Sequence, residues 1–443
     1  MVHAVRINNG TANYCNAFVK TNRLEQQKLF GRPTWSKLAD YKGMAGVGIV
    51  LLEGVKMQMG LVDISAGVGH ANTSVAYHAG RLLALHEGDM PYQLHISPEG
   101  RVSTLKRLNL GRRWNAPTDN FTAHPKLDSK TGDLHFLSTF IMTPQLKLGT
   151  LDSCGNLSYD FQVDMPQNSL VHDMAITQSS KIIFNFPMRF DLAVMVTQNS
   201  LPLVFKDEQA SHIGLAPHTA TSQDQIQWFS LPSFMSFHCV NAWEEGPRGH
   251  IVRMYLIAMK RMDMSASNLS DDYNMHMHEV TLDRMKGTAN MRKVTSIIGD
   301  NPVIHPLLQG QRTKHAWTTI FRPGDVMGVS VGIAKYELTS RAMAANQDAC
   351  VAQIFYPPGH LGGEANFVPR NVNNPSMACD GEDDGFLMCY VHHAEANTSY
   401  LMVFDAKTMS DTPVAKVKLP QRVPYGFHGL FLNQEQLMNM KVV

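Results

Sequence analysis

The chain has 443 residues, enough for two or three average domains or for one large β architecture. Its 39 basic and 38 acidic residues leave a formal charge of +1, and no basic run breaks that balance, so electrostatic binding of nucleic acid is excluded. Six cysteines without Cys-x-x-Cys spacing do not make a disulfide scaffold and point to a reducing compartment.

In chain order, the opening Met1-Val-His-Ala-Val-Arg-Ile7 lacks the charged and apolar regions of a secretory signal. The apolar stretch Met44-Ala-Gly-Val-Gly-Ile-Val-Leu-Leu52, interrupted by Glu53, Gly54 and Lys56, falls short of the roughly 20 residues that cross a bilayer. Val47, Val50, Leu51 and Val55 line one face of a helix there, which reads first as core-facing and second as membrane-touching. From about residue 70 short strand-like runs alternate with turn chemistry. They include His135 to Phe140, Lys181 to Phe186, Arg253 to Ala258, Val326 to Tyr336, Phe386 to Val391 and Tyr400 to Phe404. Ser129-Lys-Thr-Gly132, Glu245-Gly-Pro-Arg-Gly249 and Gly381-Glu-Asp-Asp-Gly385 punctuate them. No clean repeat emerges, so the pattern indicates a large all-β barrel, sandwich or propeller. The stretch from Asn366 to Asp384 suits a loop better than a boundary, and one domain over 1–443 is expected. Charged residues make up 17%, and 27 methionines suit an irregular apolar interior.

Twenty histidines make any single one uninformative. His276 with His278, and His392 with His393, form pairs without a third ligand at metal-site spacing, and read as structural. No His-Glu-x-x-His helix, Walker loop or Gly-x-Ser-x-Gly elbow occurs. Four histidines stand apart through their neighbours. They are His124 in Phe121-Thr-Ala-His-Pro-Lys-Leu-Asp128, His172 in Val171-His-Asp-Met-Ala-Ile-Thr177, His238 in Phe237-His-Cys-Val-Asn-Ala-Trp-Glu-Glu245 and His428 in Pro424-Tyr-Gly-Phe-His-Gly-Leu-Phe431. No local motif joins residues so far apart, whereas a closed ring with strands converging on its axis does. Neutral imidazole is a good ligand for iron, copper or zinc.

These phrases, in this order, resemble the carotenoid cleavage oxygenases, most closely the plant enzymes that cut at a 9,10 double bond. The resemblance implies a seven-bladed β-propeller with a helical cap over the active-site end. Family members usually carry an earlier segment rich in Gly, Pro and Asp, so an incomplete first blade with exposed strand edges is expected. It implies Fe(2+) held by His124, His172, His238 and His428. Three outer carboxylates would orient these rings: Glu87 on His172, Glu364 on His428, and Asp300 on His238 where many members have the longer Glu. Glu382 also matches a family phrase but reads as a turn residue. Thr73 falls where relatives place a small residue near the vacant coordination position. Phe121, Phe237, Trp243, Phe427 and Phe431 flank the ligand phrases and are candidates to stabilise charge on a substrate, or else ordinary core.

The implied activity is cleavage of a conjugated double bond of a carotenoid or apocarotenoid by dioxygen, giving two aldehyde or ketone products. A polyene has no proton to abstract, so no acid–base side chain is assigned a catalytic role. Alternatives are a stilbene-cleaving dioxygenase and an inactive carotenoid-binding propeller; plant-like phrases argue against a retinoid isomerohydrolase. The expected partners are a lipophilic polyene and O2, with peripheral membrane contact through residues 44–55. The expected location is cytoplasm or plastid, with a native targeting segment missing.

Overall fold

The computed structural model describes residues 1–442 apart from 38–39, 66, 112–113, 115–118, 140–143, 263–270, 324–328, 340–346 and 372–380. Six four-stranded antiparallel sheets follow one another along the chain as the blades of a propeller. Blade 1 comprises Ser74–His78, Arg81–Leu85, Tyr92–Ile96 and Val102–Arg107, and blade 2 Lys126–Leu127, Leu134–Thr139, Gln145–Leu151 and Leu157–Asp164. Blade 3 comprises Met174–Ile176, Ser180–Asn185, Ser211–Pro217 and Gln227–Leu231, and blade 4 Met235–Glu245, Ile251–Met259, His276–Asp283 and Thr288–Lys293. Blade 5 comprises Gly299–Val303, His315–Ile320, Gly332–Glu337 and Cys350–Phe355, and blade 6 His360–Pro369, Gly385–His393, Thr398–Asp405 and Ala415–Lys418. The expected strand from Val326 is found from Gly332, and residues 326–328 lie outside the described residues.

Both faces of a blade are covered by its neighbours, so middle strands read as continuous apolar or buried runs rather than alternating ones. Every residue of Ser180–Asn185 is buried. Leu83 and Leu85 of blade 1 pack with Phe136 and Leu151 of blade 2. Trp317 of blade 5 stacks on Phe367 of blade 6 with ring centroids 4.7 Å apart. The first strands of blades 2 to 5 each touch the first strand of the next blade, which sets them around a common axis.

The blade count differs from the seven implied by resemblance: among the described residues there are six complete blades. A two-stranded hairpin, β1 (Val2–Asn8) and β2 (Thr11–Ala17), occupies the sector between blades 6 and 1. Val5 and Tyr14 pack on Leu401, Leu419 and Val423, beside the last blade. On its other side the backbone N–H of Lys20 donates to Thr104 Oγ1 of blade 1 at 2.9 Å. The C-terminal stretch also returns to blade 1, where the N–H of Lys441 donates to the Gly80 carbonyl at 2.7 Å.

The helices are few. α1 (Asn22–Phe30) is capped by Thr21, and α2 (Gly43–Gln58) packs on the short α3 (Ala193–Thr197). A side chain at Gly46 would come within 2.5 Å of the Tyr41 backbone and 2.6 Å of Met195 Cε, so glycine there permits the close approach. The core-facing expectation for α2 is corrected. Its buried positions are Gly43, Gly46 and Glu53; of the four residues expected to face the core, Val47 and Val50 are half-buried and Leu51 and Val55 exposed, as are Met44 and Leu52. Glu53 stays inside because it accepts from the Ser36 backbone N–H and hydroxyl, and the apolar side chains are thereby turned outward. Phe18, Leu29 and Phe30, on and before α1, are exposed as well. No described helix is long and apolar enough to cross a membrane.

Candidate metal centre

Three of the singled-out histidines sit at the first strands of consecutive blades. His124 precedes Lys126–Leu127, His172 precedes Met174–Ile176, and His238 lies within Met235–Glu245. His428 arrives from the stretch that follows blade 6, and its backbone N–H lies 3.4 Å from the Thr73 carbonyl at the entrance to blade 1. The four rings converge. Nε2 of His172 is 3.0 Å from Nε2 of His124 and 3.3 Å from Nε2 of His238. The His428 ring centroid lies 4.6 Å from that of His124 and 4.9 Å from that of His238.

Three of these rings turn their other nitrogen to a carboxylate. Nδ1–H of His172 donates to Glu87, that of His238 to Asp300 Oδ1 at 2.8 Å, and that of His428 to Glu364 Oε1 at 2.9 Å. Glu364 Oε2 also takes the Gly429 N–H at 2.8 Å, so this carboxylate holds ring and backbone together. Asp300 reaches despite its short side chain because the first strand of blade 5 is irregular. Its pairing shifts between Asp300 and Val303, Asn301 adopts φ of 52°, and Thr319 Oγ1 donates to the Asp300 carbonyl at 2.7 Å. A side chain at Gly299 would lie 1.9 Å from the Thr319 carbonyl oxygen, so the strand closes tightly just before Asp300.

This donor set fits a cation. Carboxylates at Nδ1 of His172 and His238 fix the proton there, which leaves two Nε2 lone pairs facing each other across 3.3 Å. Only positive charge between them relieves that arrangement. Burial and the neighbouring rings hold His124 well below the usual histidine range, so it is neutral and free to coordinate. Burial pulls His172 down as well, but Glu87 against it more than compensates and its affinity for positive charge is raised. Three carboxylates around four imidazole rings complement a divalent ion. Among the described residues, the groupings of side chains within metal reach are His124, His238, His428 and Glu87, His124, His172. Each side chain remains partly reachable, at 16% for His172 and 11% for both His238 and His428, so the centre is open to a small ligand.

The other candidates divide. Phe237 sets its ring edge-on to His172 with centroids 5.3 Å apart. Phe121 stacks on Phe136, and Trp243 stacks on Tyr255 and donates to Glu245, so both serve the core. Phe427 and Phe431 flank His428 with exposed rings. Glu382 accepts the backbone N–H groups of Lys314 and His315, as a turn residue would. His276 and His278 satisfy their Nδ1 atoms on backbone carbonyls. Two features of this neighbourhood have no counterpart in the sequence reading. Lys126 pairs with buried Asp173 at 2.8 Å, both inside phrases already singled out. His86, next to Glu87, meets His70 in a T-shaped contact with centroids 5.3 Å apart, and a side-chain periodicity gives no hint of it.

A family model described as retinal pigment epithelial membrane protein matches residues 1–433. Carotenoid 9,10(9',10')-cleavage dioxygenase 1 of Arabidopsis thaliana is 32% identical over 451 residues, covering 100% of this chain and 81% of its own length. The Crocus sativus carotenoid 9,10(9',10')-cleavage dioxygenase is 32% identical, with 99% of this chain and 80% of its own length covered. Among solved structures, a lignostilbene dioxygenase of Pseudomonas brassicacearum superposes with a TM-score of 0.78 at 20% identity, covering 96% of this chain and 85% of that one. Cobalt-substituted apocarotenoid oxygenase of Synechocystis gives 0.76 at 21% identity, covering 98% and 87%.

Proposed function

Because this chain belongs to the carotenoid cleavage oxygenase family, we propose that it is a non-haem iron dioxygenase that cleaves one conjugated double bond of a carotenoid or apocarotenoid. The observation that carries this reading is the convergence of four histidine rings, three of them backed by carboxylates. His124, His172, His238 and His428 would hold Fe(2+), with Glu87, Asp300 and Glu364 fixing ring tautomer and direction. Ferrous iron held there would supply the electrons that make dioxygen reactive toward a double bond.

The remaining work falls to the chain itself. The carboxylates hold Nδ1 of His172, His238 and His428 in hydrogen bonds, which directs the opposite nitrogen of those three rings inward. Phe237 presents its ring beside His172, where it stabilises positive charge spreading along a polyene. The outward apolar residues Met44, Leu51, Leu52 and Val55 support collection of a lipophilic substrate at a membrane surface. Relatives named chloroplastic support a plastid location.

A second reading keeps the centre and changes the substrate to a hydroxylated stilbene. His86 and His70, one residue and one ring contact from Glu87, are polar groups suited to a phenol. Purified protein with Fe(II) should be given an apocarotenal, a full-length carotenoid and a stilbene under labelled dioxygen. Two shorter carbonyl products carrying label from the polyene support the first reading, and label only in benzaldehyde-type products supports the second. Stoichiometric iron with no product from any of them overturns both and leaves a binding propeller.

A further inference from the structure

Asp173 follows His172 directly, is 3% exposed, and plays no part in the four-histidine arrangement as such. Its carboxylate nevertheless touches all three blade-borne histidine segments. Oδ1 pairs with Lys126 Nζ at 2.8 Å, two residues beyond His124, and takes its neighbour Met174 N–H at 2.7 Å. Oδ2 accepts the Cys239 N–H at 2.8 Å, one residue beyond His238.

The Cys239 contact falls where the sheet gives way. Pairing between the first two strands of blade 4 shifts between Ser236 and Cys239 and again between Cys239 and Asn241, so His238 sits in a β-bulge. A bulge frees a backbone N–H from the ladder, and a buried N–H requires another acceptor. Here that acceptor comes from the neighbouring blade. The bulge redirects one side chain, and the Asp173 carboxylate holds the redirected backbone against the His172 segment. Lys126 completes the link on the opposite side and is itself only 12% exposed, which makes this a buried ion pair. Such pairs add little net stability compared with an apolar replacement, and their best-attested use is to specify geometry.

Resting on the iron-centre reading above, we infer that Asp173 is a positioning residue that sets His124, His172 and His238 in register across blades 2, 3 and 4. His428 is outside this linkage and depends on Glu364 instead. The centre is therefore built as three residues plus one. The carboxylate acts through backbone and Lys126 and touches neither substrate nor metal.

The test is Co(II) binding to metal-free protein, read by titration and by the visible ligand-field spectrum. Asp173→Leu with Lys126→Met removes the charge pair without leaving a lone ion, but gives the Cys239 N–H no acceptor. Its Co(II) affinity should fall at least about 10-fold, the range seen when outer partners of metal ligands are lost, with a changed spectrum. Asp173→Asn with Lys126→Met keeps a carbonyl for Cys239 and should stay within about 3-fold of wild type, well below that range. A folded Leu/Met variant with wild-type affinity and spectrum overturns the inference. Should that variant fail to fold, Asp173→Asn alone decides: a several-fold loss is expected, and unchanged affinity overturns the inference. Wild-type protein that takes up no Co(II) would instead refute the metal-centre reading itself.

Discussion

His238 and His428 reach the same point by different means. His238 stands on the first strand of blade 4, bulged toward the axis, buried, and flanked by a backbone N–H tied to Asp173. His428 stands on a stretch without strand pairing, between exposed Phe427 and Phe431, with Glu364 and the Thr73 carbonyl as its holds. A propeller axis fixes ligands cheaply when they ride on first strands, because neighbouring blades already define the backbone. A ligand delivered by a loop needs a carboxylate that grips both ring and chain, and Glu364 does this through its two oxygens.

The largest expected effects come from removing the rings. His238→Ala and His428→Ala should each abolish double-bond cleavage, measured as product formed under labelled dioxygen. They should part company in stability. His238→Ala leaves buried Asp300 without its ring partner and should destabilise metal-free protein by about 1–3 kcal/mol. His428→Ala leaves Glu364 still bonded to the Gly429 N–H, so its thermal midpoint should move less. Equal midpoints would break the contrast between strand-borne and loop-borne ligands.

Next come the outer carboxylates. Glu364→Ala should weaken Co(II) binding toward the 100-fold end of the roughly 10–100-fold range for such partners, and Asp300→Asn toward the 10-fold end. The reason is redundancy: His238 retains its strand and the Asp173 link, and His428 retains little. The reverse ranking in a metal titration would show that the Asp300 bond matters more than the backbone beneath it.

How far these features were legible follows the same division. The four histidines and Glu87, Glu364 and Asp300 were readable because each lies in a short local phrase. Whether Asp300 reaches His238 was not, because the answer lies in a register shift and a positive φ at Asn301 that no residue pattern encodes. The six blades were hidden by strands as short as Lys126–Leu127 and as long as Met235–Glu245, which erase any fixed period. For α2, helical periodicity names a candidate face but not its direction, and of that face Val47 and Val50 are half-buried while Leu51 and Val55 are exposed. Buried Glu53 takes the inward position that an apolar residue would otherwise fill. Asp173 lay in plain view, yet its role exists only where three blades meet.

The outward face of α2 extends the contrast from the centre to the surface. Leu51→Ser with Leu52→Ser should leave Co(II) affinity and the thermal midpoint nearly unchanged, since both side chains are exposed, at 67% and 54%. On the proposal that this face meets lipid, sedimentation with lipid vesicles should fall at least about 10-fold, since roughly 25 cal/mol is lost per Å2 of apolar area withdrawn from contact. Unaltered vesicle binding would remove this face from the path of the substrate.

The smallest expected effect concerns acid and the blade wall beneath His124. His135 in blade 2 is 2% exposed, bonded to Thr150 and stacked on His218 with centroids 4.4 Å apart. Burial, with His218 and Lys181 nearby, pushes it down from 6.5 to about 2. The folded chain therefore keeps this ring neutral while the unfolded chain protonates it near the ordinary value. Its contribution to stability is complete above pH 6.5 and is lost progressively as pH falls toward 2. The slope is at most about 1.4 kcal/mol per pH unit, or about 2 kcal/mol between pH 6.5 and 5. His135→Gln keeps a partner for Thr150 and cannot titrate. Thermal midpoints of the metal-free proteins at pH 7.5 and 5.5 should therefore converge more in this variant than in wild type. An identical acid shift in both would mean that His135 is solvated or protonated inside the blade, and that the wall is less rigid than its packing implies.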